Sequence, residues 1–148
     1  NCIESFVKLQ KVCYHDQLEL RIEVDDCLKA ICCPKFILQP VVENSIRHGL
    51  RSNGETLHIC LKASITDEDI LELSVEDDGT GMSPERLEEL RHSIEGASES
   101  EDAGFGIGLY AVNTQLKIHS ESSFTLKVRS KKDVGTTVIL PIRINGGD

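Results

Sequence analysis

The 148-residue sequence predicts an α/β fold: a two-layer sandwich in which about three helices cover one face of a mixed, mostly antiparallel sheet. Three observations lead there. Residues 18–24, 57–65, 71–77, 124–128 and 138–142 alternate apolar and polar side chains, the period of half-buried strands. Residues 34–48, 84–94 and 106–119 repeat apolar side chains every three or four positions, the period of helices with one buried face. The resulting order, β-α-β-β-α-loop-α-β-β, places strands next to one another in sequence on either side of the helices, so hairpins supply most of the sheet.

Residues 1–15 read as the tail of an amphipathic helix, with Phe6, Leu9 and Cys13 on one side, and residues 16–148 as one globular domain. Leu18, Leu20, Ile22 and Val24 alternate with Glu19, Arg21 and Glu23, and Asp25-Asp26 begins a turn. Pro34 suits the first position of a helix that runs to about His48, with Gly49 near its end. That helix has two chemical faces: Leu38, Val41, Val42 and Ser45 on one, and Pro40, Asn44, Arg47, His48 and Arg51 on another. Thr66-Asp67-Glu68-Asp69 connects the next two strands as a hairpin. Ser83 caps a helix that has Pro84 at its first position and Leu87, Leu90 and Ile94 facing inward. Residues 95–103 are Gly, Ala, Ser and acidic residues without periodicity, the composition of a mobile lid. Leu109, Val112 and Leu116 mark the inner face of the last helix, and two strands close the chain around Lys131-Lys132-Asp133.

The net charge of −9 argues against nucleic acid as a partner, because backbone phosphates call for a basic face. No apolar run approaches the roughly 20 residues that span a bilayer, so these residues make no membrane contact of that kind. The six cysteines lack paired C-x-x-C spacing, which favours reduced thiols over a zinc site or a disulfide framework.

Two glycine clusters carry the chemistry. In Asp77-Asp78-Gly79-Thr80-Gly81-Met82, strand alternation puts Asp77 in phase with the core residues Leu71, Leu73 and Val75. A carboxylate there needs hydrogen-bond donors, since an unpaired buried charge is destabilising by several kcal/mol (order of magnitude). An adenine amine is a suitable donor, with Gly79 and Gly81 leaving room for the base; an ordinary strand-end turn also accounts for the motif taken alone. The second cluster, Gly104-Phe105-Gly106-Ile107-Gly108-Leu109, opens a helix whose N–H groups suit phosphate oxygens, although by itself it also reads as a flexible linker. The spacing is not G-x-G-x-x-G and no strand immediately precedes it, which excludes a dinucleotide-binding loop of that type.

On the helix upstream, Asn44 offers a neutral oxygen to magnesium, which prefers oxygen ligands and retains waters, although an isolated Asn there is usually just solvated surface. Arg47 and His48, one turn on, are placed to meet phosphate charge. Thr136 shares the inward phase of Val138 and Leu140, so its hydroxyl needs a buried partner, either a nucleotide or a backbone group.

These motifs, in this order and with a lid between the glycine clusters, resemble the ATP-binding domain of the gyrase, heat-shock chaperone, histidine kinase and mismatch-repair superfamily. Glu43-Asn44 with Arg47-His48-Gly49 resembles its N box, Asp77-x-Gly79-x-Gly81-Met82 its first glycine box, and Gly104-x-Gly106-x-Gly108-Leu109 its second, while Gly135-Thr136 matches the final Gly-Thr element. The resemblance implies a Bergerat-type fold over about residues 18–142. It also implies ATP and Mg2+ as cofactors, with Asp77 reading adenine, Asn44 holding the metal, and Gly79, Gly81, Met82, Gly104, Gly106, Gly108, Leu109 and Thr136 lining the nucleotide.

Within the superfamily, Leu38-Gln39-Pro40-Val41-Val42-Glu43-Asn44 is most similar to bacterial sensor histidine kinases of the group that includes autolysis and sugar-utilisation sensors. Phe6-Val7-Lys8-Leu9-Gln10 looks like the end of the helix leading from their dimerisation segment. The resemblance implies transfer of the ATP γ-phosphate to a histidine upstream of Asn1, relayed to a response-regulator aspartate. Homodimerisation of the full-length protein and a parent anchored in the bacterial cell membrane, with this domain cytoplasmic, belong to the same expectation. Gyrase-like hydrolases and anti-sigma serine kinases resemble each other in placing a glutamate one turn before the metal-binding Asn, where this chain has Pro40. Proline cannot act as a base, which favours phosphotransfer over hydrolysis. Glu43 is left to orient Asn44 or serve as an alternative base, and Arg47 and His48 complete the candidate catalytic set. The second glycine box continues with Ala111-Val112 and Gln115-Leu116 where the related kinases usually have Asn-Val and Arg-Leu, so a cation near the phosphates is missing. An anti-sigma-type serine/threonine kinase and a degenerate nucleotide-sensing interaction module are the alternatives.

Overall fold

A computed structural model describes residues 17–29, 37–50, 53–96, 107–120 and 124–143 of the chain. In order these form β1 (Leu18–Glu23), α1 (Asp26–Lys29), α2 (Leu38–Gly49), β2 (Leu57–Ile65), β3 (Ile70–Asp77), α3 (Pro84–Ile94), α4 (Ile107–Ser120), β4 (Lys127–Lys131) and β5 (Gly135–Arg143). The five strands make one sheet in the order β1-β2-β3-β5-β4, with β1 parallel to β2 and every other pair antiparallel. The mixed, mostly antiparallel sheet expected from the order of elements is therefore present, covered by α2, α3 and α4.

One row of register partners shows how alternation builds the core. Ile22, Leu61, Val75, Val138 and Val128 lie side by side across all five strands, and the last four are buried. The helices close over this face with Val41, Val42 and Ile46 from α2, Leu87, Leu90 and Ile94 from α3, and Leu109, Val112 and Leu116 from α4. Removing each such aliphatic side chain from water contributes about 1.5–3 kcal/mol. The opposite face of the sheet carries His58, Cys60, Lys62, Glu72, Ser74 and Glu76, so it is polar and half exposed, and the sandwich is open on that side.

The helix ends follow local chemistry. Ser83 accepts a hydrogen bond from the Arg86 N–H at 3.2 Å, with Pro84 just inside the helix where its missing N–H loses nothing. Pro40 is tolerated for the same reason, in the first turn of α2.

Two boundaries differ from the sequence expectation. The last-but-one strand begins at Lys127 rather than 124, because the Leu126 N–H donates to Asn113 Oδ1 of α4 at 3.0 Å instead of joining the ladder. It then continues to Lys131, which leaves the turn to residues 132–134. The expected turn at Asp25-Asp26 opens the single helical turn α1. Residues 1–15, Pro34, Arg51, nearly all of the expected lid, Gly104 and Gly106 lie outside the described residues. Among the described residues no helix is long and apolar enough to cross a membrane, and Cys27 and Cys60 are free.

Candidate functional site

The row of register partners next to the apolar one is different in kind. Leu20 and Ile59 continue the core, but the next three positions are Asp77, Thr136 and Ser130, so polar groups from β3, β5 and β4 converge at one end of the sheet under the helix layer. Asp77 Oδ1 accepts from the Gly79 N–H at 3.0 Å and from the Thr136 N–H at 3.3 Å. Burial pushes the Asp77 carboxyl above the usual aspartate range; those two N–H donors and the Ser45 hydroxyl pull it back, and the Asp78 charge adds a smaller upward push. Ser45 faces this carboxylate from α2, yet its buried Oγ closes no hydrogen bond of normal geometry. The site thus holds a desolvated carboxylate only partly supplied with donors, which is the arrangement that gains from a ligand donor.

The loop after β3 owes its path to close backbone approach. A Cβ on Gly79 would collide with the backbone of Gly49 at the end of α2, and one on Gly135 with the Asp77 carbonyl. Gly81 has φ +63 and lies against the Lys131 carbonyl, so both its conformation and its surroundings exclude a side chain. The Thr80 hydroxyl donates to the His48 carbonyl at 2.7 Å, and the Thr80 carbonyl accepts from the Asp133 N–H at 2.7 Å. The first glycine cluster is therefore pinned between the end of α2 and the β4–β5 turn.

Asn44, Ser45, His48, Gly49, Asp77, Gly81, Met82, Leu90 and Thr136 wall one narrow cleft, whose interior of about 10 Å³ holds no more than roughly one water. Half-buried Met82 is the unbranched, adaptable side chain of that wall. The Asn44 side-chain amide makes no hydrogen bond among the described residues and is half-buried beside the cleft, so its oxygen is available as a ligand. Among the described residues no cluster of three or more His, Cys, Asp or Glu side chains could hold a metal. A divalent ion here would rely on Asn44 and on the oxygens of a bound ligand, a donor set that suits magnesium.

Gly108, of the second glycine cluster, approaches the same place. A Cβ on Gly108 would lie 3.6 Å from Pro40 Cβ, which puts the opening turn of α4 against α2 one turn before Asn44. That turn carries no acidic residue, as an anion site requires. Leu109 is 1% exposed and belongs to the core rather than to the cleft.

Of the remaining sequence candidates, His48 reaches the cleft wall, while Arg47 and Glu43 are exposed on α2 away from it. Glu43 accepts from Gln39 Nε2 at 3.0 Å. Arg47 and His48 also complement the carbonyl end of the helix, a role that needs no ligand. Sequence reasoning missed Ser45 and Ser130 as site residues. Ser130 continues the inward phase of Leu126 and Val128, the same signal that exposed Asp77 and Thr136.

Residues 34–145 match the family described as histidine kinase-, DNA gyrase B-, and HSP90-like ATPase. The chain is 30% identical over 148 residues to the sensor protein kinase HptS of Staphylococcus aureus, covering all of this chain and 27% of that protein. It is 31% identical over 147 residues to the sensor protein LytS of Streptococcus mutans, covering 99% of this chain and 24% of that one. The chain thus spans about a quarter of the length of these relatives. In fold it is similar to the catalytic domain of the histidine kinase ThkA, with TM-score 0.65 at 18% identity over 96% of this chain and 88% of that one. It is also similar to the histidine kinase domain of the blue-light activated kinase of Erythrobacter litoralis EL346, with TM-score 0.59 at 16% identity over 92% of this chain and 58% of that one.

Proposed function

Since the chain belongs to the family of histidine kinase-, DNA gyrase B- and HSP90-like ATPases, we propose that it is the ATP-binding catalytic domain of a two-component sensor histidine kinase. The observation that carries the nucleotide part is the desolvated Asp77 carboxylate at the head of a cleft built by three glycine-bearing segments. Asp77 accepts from the adenine amine, and Gly79 and Gly81 let the base approach backbone. Met82 and Leu90 supply apolar walls, and Thr136 closes the cleft from the sheet.

Phosphates lie toward α2 and the start of α4. The N–H groups of the opening turn of α4, with Gly108 and the preceding Gly104 and Gly106, hold phosphate oxygens, and His48 and Arg47 add donors and charge at the rim. Asn44 would hold magnesium through its amide oxygen, and the ion when bound would supply charge neutralisation on the phosphates. A histidine imidazole from the dimerisation segment attacks the γ-phosphorus, a nitrogen–phosphorus bond forms, the bond to the bridging oxygen breaks and ADP leaves.

Pro40 supports transfer over hydrolysis, because the position one turn before Asn44 has no group that could take a proton from water. Glu43, exposed beside Asn44 and hydrogen-bonded to Gln39, is the carboxylate left to orient Asn44 or to serve as an alternative base. The relatives named as sensor kinases support partners of the same type: the protein's own dimerisation segment, a second protomer and a response-regulator aspartate, with the domain on the cytoplasmic side of a membrane-anchored parent.

The test is calorimetry of the 148-residue chain with ATP, ADP and adenosine, with and without magnesium, alongside a hydrolysis assay. Saturable binding of all three, metal dependence for the phosphorylated pair only, and very slow hydrolysis are expected. No binding of any of them would refute the nucleotide site.

A further inference from the structure

Ser130 on β4 touches three groups, and their chemistry favours one assignment of protons over its reverse. Its Oγ lies 2.9 Å from the Met82 N–H, 3.1 Å from the Gly135 carbonyl oxygen and 2.8 Å from Thr136 Oγ1. An N–H can only donate and a carbonyl oxygen can only accept. A serine hydroxyl has one proton and two acceptor sites. Ser130 therefore accepts from Met82, donates its single proton to Gly135, and has one acceptor site left, which takes the proton of Thr136. In the reverse arrangement, Ser130 would donate to Thr136 and set its lone pairs against the Gly135 oxygen, leaving an unfavourable oxygen–oxygen contact at 3.1 Å.

The consequence lies on the far side of Thr136, which lines the cleft beside Asp77. With its proton committed to Ser130, Thr136 Oγ1 presents only lone pairs to a ligand. Asp77 likewise presents only acceptors. We propose that Ser130 is a positioning residue for base selection: it holds Thr136 as an acceptor next to Asp77, so that the cleft takes a purine bearing an exocyclic amine and rejects one bearing a carbonyl there. This rests on the nucleotide site proposed above and adds to it the residue that sets the site's hydrogen-bond polarity. Ser130 also holds the Met82 N–H, so the first glycine cluster, the β4–β5 turn and Thr136 are set by one hydroxyl.

The experiment measures binding of ATP, whose amine offers two protons to the two acceptors, and of inosine triphosphate, which has a carbonyl there and a single proton on the adjacent ring nitrogen, to the 148-residue chain and to Ser130→Ala, Ser130→Cys and Ser130→Thr. Wild type is expected to favour ATP. In Ser130→Ala the Thr136 hydroxyl is free to donate, so the preference for ATP over inosine triphosphate should narrow about tenfold, the size of one buried hydrogen bond reversed. Ser130→Cys should narrow it similarly while keeping the side-chain shape, which covers the case in which the alanine variant fails to fold. Ser130→Thr keeps the hydroxyl and should retain the wild-type ratio.

A purely structural Ser130 would instead weaken both nucleotides equally. An unchanged ratio in folded Ser130→Ala or Ser130→Cys overturns the proposal while leaving the nucleotide site standing. Failure of wild type to bind either nucleotide overturns both.

Discussion

Asp77 and Thr136 are register partners on β3 and β5, and the Thr136 N–H reaches Asp77 Oδ1 at 3.3 Å, so the carboxylate that heads the cleft is held by the strand beside it. A second donor, the Gly79 N–H at 3.0 Å, comes from the glycine loop itself. Sheet register and loop path thus fix one carboxylate in place before any ligand arrives.

Asp77→Asn keeps the shape of the side chain but replaces a charged acceptor by an amide. Adenosine affinity should fall about 10- to 100-fold, the range for a hydrogen bond to a charged group, while thermal stability stays level or rises because the burial penalty on the charge is gone. Calorimetry and a melting curve on the same sample check both halves. Unchanged affinity in the folded variant would remove Asp77 from the site.

The raised Asp77 carboxyl gives a pH dependence with a definite sign. Because the native state keeps this proton above the ordinary value of 3.8, where the unfolded chain has begun to lose it, the stability linked to Asp77 is greatest at the acid end and is lost as pH rises through the raised native value. In the proposed site the charged form accepts from adenine, so adenosine binding should run the other way and weaken as pH falls through that value. Titrating adenosine affinity downward from neutral pH should therefore show a loss that begins above the range of an ordinary aspartate. Asp77→Asn should flatten that profile.

Much of this was readable from the chain because strand alternation is strict. Asp77 and Thr136 stand out as polar residues on a core phase, and their meeting follows from the pairing of β3 with β5. Ser130 carries the same signal but lies beyond the expected end of a strand whose bounds are shifted to Lys127–Lys131 with its phase unchanged. Leu126 gives its N–H to Asn113 on α4, a long-range hydrogen bond that no local pattern announces. The parallel pairing of β1 with β2 was likewise illegible, since alternation says which face is buried and nothing about strand direction. The sequence puts Ser45 on the same helix face as Leu38, Val41 and Val42; only the packing of α2 over Asp77 makes it a neighbour of the carboxylate.

Gly81 and Gly54 separate backbone strain from collision. Both have positive φ, at +63 and +79, but a Cβ on Gly54 meets nothing within 4 Å whereas one on Gly81 strikes the Lys131 carbonyl. Gly54→Ala should lose about 1–2 kcal/mol of stability from strain alone. Gly81→Ala should lose more and should also abolish adenosine binding, because the loop must leave its place between α2 and β4. Urea unfolding of the two variants measures the difference, and equal losses would mean that the close approach at Gly81 is inconsequential.

Asn44→Ala should remove most of the magnesium dependence of ATP binding and leave adenosine affinity within about twofold of wild type, since in the proposed site the base does not contact the amide. Equal losses for ATP and adenosine would point to a disturbed helix instead of a lost metal ligand.

The most direct measurement supplies γ-labelled ATP and magnesium to the chain together with a dimerisation segment carrying a histidine, and asks where the label goes. Label on that segment that is stable to base and labile to acid, with negligible free phosphate from the domain alone, is the expected result: phosphoryl transfer to imidazole from a site in which Pro40 provides no base for water. Rapid release of free phosphate by the isolated domain, or acid-stable label on serine, would contradict it.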